Sequence, residues 1–330
     1  MSLSRSHLAW PGPGRLTLVL LAVIPAALAY PWSSTRDRWV LGAAVLVTVA
    51  LLGCWRGLHL TTMVRRRLAM LRTHREAADR RRPDVRTTAL LQLIGGPADT
   101  ATLPLSLIAA YRSRYGLQAD AVRITSREQR SGAHAPTRDT WIGLTFSAVQ
   151  NLPALQARSP HVPLAETAEV AVRRLGDQLR ELGWETVLVG PGEVPALAGA
   201  DARERWNGLA DDTGWLAAYR VDIGADGADA VAHLGAGDAP ETWTVLEISG
   251  DAEQVTLAVG RAIRTEQAPA GAPPGLTPEY GNHRVALQTL HPMSSVKLAG
   301  HAGVPAANVA ALHWPVAPDA RHPARHAAVN

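Results

Sequence analysis

Cysteine is almost absent from this 330-residue chain; the single one, Cys54, lies inside an apolar run. Without a second thiol there can be no disulfide framework and no multi-thiolate metal site. Lysine is equally scarce: Lys297 stands alone, and arginine carries nearly all the positive charge. Phosphate-cradling loops are missing as well, because Gly12-Pro13-Gly14 and Gly190-Pro191-Gly192 lack the lysine and hydroxyl such a loop needs. Ser159 has no glycine-flanked elbow, so a hydrolase triad has no support. The histidines are scattered, three of them (His313, His322 and His326) near the end, and none has metal-ligand spacing to a carboxylate or thiol. Asp211-Asp212 could supply half of a metal site, but no third ligand stands nearby. Glu166 and Glu169 fall near a helix start, where carboxylates favour the dipole more readily than they serve acid–base catalysis. No active site is legible.

What the chain does have is a strongly apolar beginning. Leu16 to Thr35 gives about 20 residues without a charge, a match to a hydrocarbon core of roughly 30 Å. Tyr30 and Trp32 suit the headgroup level at its outer end, and Pro25 is tolerable inside it. A second uncharged run, Trp39 to Trp55, follows after only Arg36, Asp37 and Arg38. The expectation is a transmembrane helical hairpin over 16–56, behind a short cytoplasmic segment 1–15. A cleaved signal peptide is the competing reading, with Ala27-Leu28-Ala29 as the cleavage site. The second run follows so closely that no exported domain would be left to justify one.

The net charge is only +4 despite a pI near 9.7, and the excess is local. Arg65, Arg66, Arg67, Arg72, Arg75 and Arg80 to Arg82 crowd just after the second apolar run. A membrane surface explains that placement better than nucleic acid does, and the positive-inside rule puts both termini in the cytoplasm of a multi-pass inner (plasma) membrane protein. Leu60, Val64, Leu68 and Leu71 recur at helical spacing, which predicts a basic juxtamembrane helix over 57–82, ended by Pro83. It would lie against acidic phospholipid or serve as a docking stalk.

Residues 83–290 are long enough for a domain with its own core. Strands are expected at 87–94, 121–125, 140–146, 184–189, 215–221 and 242–248, and helices at 104–115, 164–182 and 252–265. A polar loop with Ser131-Gly132-Ala133-His134 separates the second and third strands. The clearest helix has Ala168, Ala171, Val172, Leu175, Leu179 and Leu182 on one stripe, with Arg173, Arg174, Asp177 and Arg180 outward and Gly183 as its cap. Strand, helix and strand in succession predict an α/β domain, a mixed or parallel sheet with flanking helices. Residues 268–278 read as a Pro/Gly/Ala linker, and 291–330 as an Ala-, Pro- and His-rich region that is partly flexible. If a surface binds partners, the arginines of the best helix (Arg173, Arg174, Arg180) or of the basic stalk (Arg65, Arg66, Arg67) are the candidates, although an exposed charged face is more often merely solvated.

The segments Thr140-Trp-Ile-Gly-Leu-Thr-Phe-Ser-Ala-Val-Gln-Asn-Leu-Pro-Ala-Leu-Gln-Ala-Arg-Ser-Pro160, Pro163-Leu-Ala-Glu-Thr-Ala-Glu-Val-Ala-Val-Arg-Arg-Leu175 and Leu179-Arg-Glu-Leu-Gly-Trp184 resemble the EccE family, membrane components of the actinobacterial type VII (ESX) secretion system. The resemblance implies two amino-terminal membrane helices and a cytoplasmic domain. It implies a non-enzymatic structural subunit without cofactor, in a higher-order assembly with EccB, EccD and the ATPase EccC. The family's cytoplasmic fold has some likeness to glycosyltransferase-type domains, so the alternative is a membrane-tethered, glycosyltransferase-like enzyme acting on envelope precursors.

Overall fold

A computed structural model describes residues 13–28, 30, 34–52, 54–55, 58–72, 86–97, 102–130, 136–157, 159, 162–223, 239–251 and 254–316. The chain divides into two compact units, Met1–Asp79 and Arg80–Asn330.

In the first unit, α1 (Pro13–Leu28) and α2 (Thr35–Leu52) pack against each other. A two-residue ladder, β1 (Cys54–Trp55) with β2 (Leu58–His59), leads into α3 (Leu60–Arg72). The expected transmembrane hairpin is not what forms. Among the described residues no helix is long and apolar enough to cross a membrane. The reason is length. The 16 residues of α1 reach about 24 Å at ~1.5 Å per residue, short of a ~30 Å hydrocarbon core. Helix α2 takes Arg36, Asp37 and Arg38 into its first turns, leaving about 21 Å of apolar helix from Trp39 to Leu52. Both helices nonetheless expose large apolar side chains, among them Leu21, Leu28, Trp39 and Leu46. Arg75, Arg80 to Arg82 and Pro83 lie outside the described residues.

The second unit is built on one 12-stranded sheet. Its strands are β3 (Arg86–Gly95), β4 (Ser113–Arg114), β5 (Leu117–Gln129), β6 (Thr137–Ser147), β7 (Glu185–Val189), β8 (Arg203–Arg205), β9 (Gly208–Asp211), β10 (Gly214–Val221), β11 (Glu241–Gly250), β12 (Val255–Thr265), β13 (Leu276–Pro278) and β14 (Ala302–Val304). The main path runs β7-β3-β6-β5-β11-β12-β10-β9-β8. Flanking helices are present as expected, but the sheet is not mixed or parallel. Every neighbouring pair among the described residues is antiparallel. The one long helical connection, from β6 through α5 (Leu152–Gln156) and α6 (Leu164–Glu181) to β7, does join parallel strands. They are not neighbours, because β3 is inserted between them and pairs antiparallel with each. Sequence order alone cannot show such an insertion.

Both faces of the sheet are covered. On one, Leu91, Val122, Ile124, Ile142, Leu144, Leu246, Ile248, Leu257 and Val259 pack under the stripe of α6 and beside α4 (Leu105–Ala110). On the other, Trp141, Trp243, Val245, Ala258 and Ala262 pack with Leu197, Leu287 and Leu290, the last two from α7 (His283–Leu290). Adjacent strand residues thus enter opposite cores. Double burial explains a further correction: 255–265 is a strand, not a helix. Strand β12 lies between β11 and β10 in the middle of the sheet, so both of its faces are apolar and the period-two alternation disappears. Its β-branched Val255, Thr256, Val259, Ile263 and Thr265 favour that extended form. The helix expected at 104–115 stops at Ala110, since β4 and β5 form a hairpin directly after it. The end of the described chain is tied down as well. After α8 (Ala306–Ala311), Leu103 N–H donates to Trp314 O at 3.1 Å, and the Trp314 indole donates to Ser126 Oγ at 2.9 Å. The Ser131–His134 loop, His322 and His326 lie outside the described residues.

Candidate functional site

Helix α6 presents the most developed surface feature. Its inner stripe buries Ala168, Ala171, Val172, Leu175 and Leu179, as the sequence predicts, together with Leu164, whereas Leu182 is exposed beyond the last turn. Gly176 belongs to the same face; a Cβ there would meet Thr186 Oγ1 at 3.1 Å and Leu91 at 3.3 Å, so the glycine lets the helix approach the sheet closely. The helix closes through Gly183 at φ +86°, with Gly183 N–H donating to Arg180 O and Trp184 N–H to Leu179 O. That paired closure is the Schellman pattern, and it needs a left-handed residue at the cap.

On the outward face the expected arginines separate into two roles. Arg180 is structural: Nη1 donates to Asp177 Oδ1 at 2.6 Å and Nη2 to Thr186 O on β7 at 3.0 Å. Arg173 and Arg174 are exposed, and the Arg174 guanidinium lies 4.6 Å from the ring centre of Tyr115. Arg114 reaches the same ring at 5.7 Å and that of Tyr111 at 5.2 Å, while the two tyrosine rings meet edge to face. Gln178 joins the cluster, accepting from Arg114 at 3.0 Å and donating to Tyr115 Oη at 3.3 Å. Tyr115 is thus a 43% exposed aromatic held between two guanidinium groups.

The local backbone explains how that ring comes to stand there. Tyr115 and Gly116, at φ +56° and +71°, are the two central residues of the hairpin joining Arg114 to Leu117. Such a turn requires two left-handed residues and normally takes Asn-Gly or Gly-Gly. Tyrosine at the first position is strained, and no other non-glycine described residue has a positive φ. The sequence reading missed this site; Tyr-Gly between two short extended pieces was the available signal. On α3, Arg65 and Arg67 are exposed and Arg66 half-buried.

Two networks of buried ion pairs lie inside the second unit. Arg123 and Glu247 face each other across β5 and β11, essentially without exposure, and form a short ion pair. Arg123 also donates to Ser294 O at 2.7 Å and Val296 O at 2.8 Å, and His301 Nε2 bonds Glu247 Oε1 at 3.0 Å. Burial alone would raise the Glu247 carboxyl, but the His301 and Arg123 contacts outweigh it and hold the group below its ordinary range. In the second network Arg264 donates to Glu241 Oε2 at 2.7 Å, to both Asp211 oxygens at 2.8 and 3.1 Å, and to Thr213 Oγ1 and Leu197 O. Arg127 binds Glu241 at 2.7 Å and lies over the Trp243 ring, itself stacked on Trp141. Asp211 is therefore an ion-pair partner rather than half of a metal site. Among the described residues no group of three His, Cys, Asp or Glu could hold a metal ion.

An antiparallel sheet stitched by buried ion pairs thus carries a tyrosine–arginine cluster beside α6. Residues 134–221, which include α6 and β7, match the family described as "Putative type VII ESX secretion system translocon, EccE". The chain is 49% identical over 314 residues to the ESX-3 secretion system protein EccE3 of Mycobacterium tuberculosis (strain H37Rv), covering 93% of each. It is 43% identical over 291 residues to the protein of the same name from Mycolicibacterium smegmatis, covering 87% of this chain and 90% of that one. The chain belongs to the EccE family. The glycosyltransferase-like alternative has no support.

Proposed function

We infer that this protein is a subunit of a type VII (ESX) secretion system, a non-enzymatic part of its membrane-associated translocon that assembles with EccB, EccD and the ATPase EccC. The observation that carries the reading is the near full-length similarity to secretion-system proteins named EccE3. Two features of the fold support it. Buried carboxylates and guanidinium groups are spent on one another, as in a scaffold, and the apolar surface left uncovered on α1 and α2 suits a lipid or protein environment. The contact surface we assign to a partner is the outer face of α6, with Arg173 and Arg174 beside Tyr115. Tyrosine and arginine are the residue types that dominate binding energy at interfaces.

The test is the size of the native particle. Membranes from cells expressing a tagged chain together with the other components are solubilised in mild detergent and separated under native conditions. Migration in one large particle with the ATPase is expected. Recovery of the chain only as a free monomer, with the other components present, would overturn the reading.

A further inference from the structure

Away from α6, the opposite face of the sheet carries a cleft of about 450 Å³ between the 196–200 loop, Leu209 of β9 and one face of α7. That volume lies within the range of small-molecule pockets, roughly 300–1,000 Å³. The composition of its wall is uneven. The Ala196-Leu-Ala-Gly-Ala200 loop, Leu209, Leu287 and Met293 make it apolar, and no carboxylate among the described residues lines it. Arg284, Gln288 and His291, at helical spacings of four and three, bring donors to one side.

These donors are free to bind. Arg284 uses Nη2 on Ala202 O and its backbone N–H on Glu204 Oε1 at 3.2 Å; among the described residues its Nε and Nη1 donate to nothing and no carboxylate forms an ion pair with its guanidinium. His291 Nδ1 accepts from Met293 N–H at 3.2 Å, which places the neutral ring's proton on Nε2, and that atom makes no bond among the described residues. Burial, and then the Arg123 charge, holds the His291 ring below its ordinary pKa, keeping it a neutral donor. A cation and neutral donors at one side of an apolar cavity select a ligand of matching polarity.

We propose that this cleft is a binding site for a small ligand with a carboxylate head and an apolar body, the head on Arg284 and His291 and the body against Leu209, Leu287 and Ala198. The carboxylate can come from a free organic acid or from the terminus of an apolar peptide. Neither source enters the assembly reading above.

The experiment uses the full chain and calorimetric titration with 4-phenylbutyrate, its neutral amide, acetate, inorganic phosphate and an N-acetylated Leu-Phe dipeptide with a free carboxylate. Saturable binding of phenylbutyrate is expected, with the amide weaker by about tenfold, the worth of a charge-assisted hydrogen bond. Arg284→Met should reduce the acid to the affinity of the amide, and Ala198→Phe, which fills the cavity and touches no donor, should abolish both. The dipeptide binding tighter than phenylbutyrate identifies a peptide terminus as the source; the reverse order identifies a free acid. Equal affinity for acid and amide overturns the proposal without recourse to any variant. So does unchanged binding to a folded Ala198→Phe protein, or acetate or phosphate binding as tightly as phenylbutyrate.

Discussion

Glu247 shows what single residues contribute. Its carboxylate has no exposure and is satisfied by Arg123, by His301 and, at 3.3–3.4 Å, by the Leu298 N–H. Removing one member of a buried pair leaves its partner's charge uncompensated, so Glu247→Gln should destabilise the fold by about 3–5 kcal/mol in denaturant unfolding. The same group sets a pH dependence. Glu247 and Asp211 are held below their ordinary 4.5 and 3.8, and His291 below 6.5. At each site the unfolded chain takes up its proton first, so stability falls as the pH falls. Denaturation midpoints should decline gently as the pH drops through 6.5 and steeply below 4.5. A flat profile across that window would remove these groups from the stability account. None of this was legible in sequence, because Arg123, Glu247 and His301 come together only when β5, β11 and the 291–301 segment are assembled.

At the scale of elements, the Tyr115-Gly116 turn sets stability against display. Relaxing the left-handed tyrosine to asparagine, which tolerates that conformation, should raise stability by about 1 kcal/mol while removing the ring between Arg114 and Arg174. Thermal unfolding and complex recovery should therefore move in opposite directions. The elements themselves were legible to very different degrees. Helix α6 stood out because one face is buried and the other wet, so its apolar period is clean. Strand β12 was misread because both of its faces are buried and no alternation survives. The short strands β8, β13 and β14 offer too few residues for any period to register.

For the whole molecule, charge reversal at Arg173 and Arg174 together should weaken recovery of the other secretion components at least roughly tenfold, as expected for losing about 1–3 kcal/mol of contact energy. Unfolding should shift by no more than about 1 kcal/mol, the worth of the exposed Arg174–Tyr115 contact, since both arginine side chains are exposed. An unchanged complex would move the contact surface elsewhere. The family was readable from the 140–184 segment because its residues are contiguous. The expectation of two membrane-spanning helices failed on a different quantity. Counting uncharged residues measures how far a helix could extend, whereas α1 ends at Leu28 and α2 begins at Thr35, taking three charged residues into its first turns.

The position of β3 bears on how the chain comes to be folded at all. It is the first strand of the large sheet to leave the ribosome, yet the strands that clamp its two edges, β6 and β7, are synthesised later, the second of them only after the whole of α6. Until β6 emerges, Ala89 to Ile94 is a nascent apolar segment with both hydrogen-bonding edges open, and one edge stays open until β7 follows. A chain cut short anywhere between β3 and β7 therefore leaves at least one edge of β3 without its partner strand.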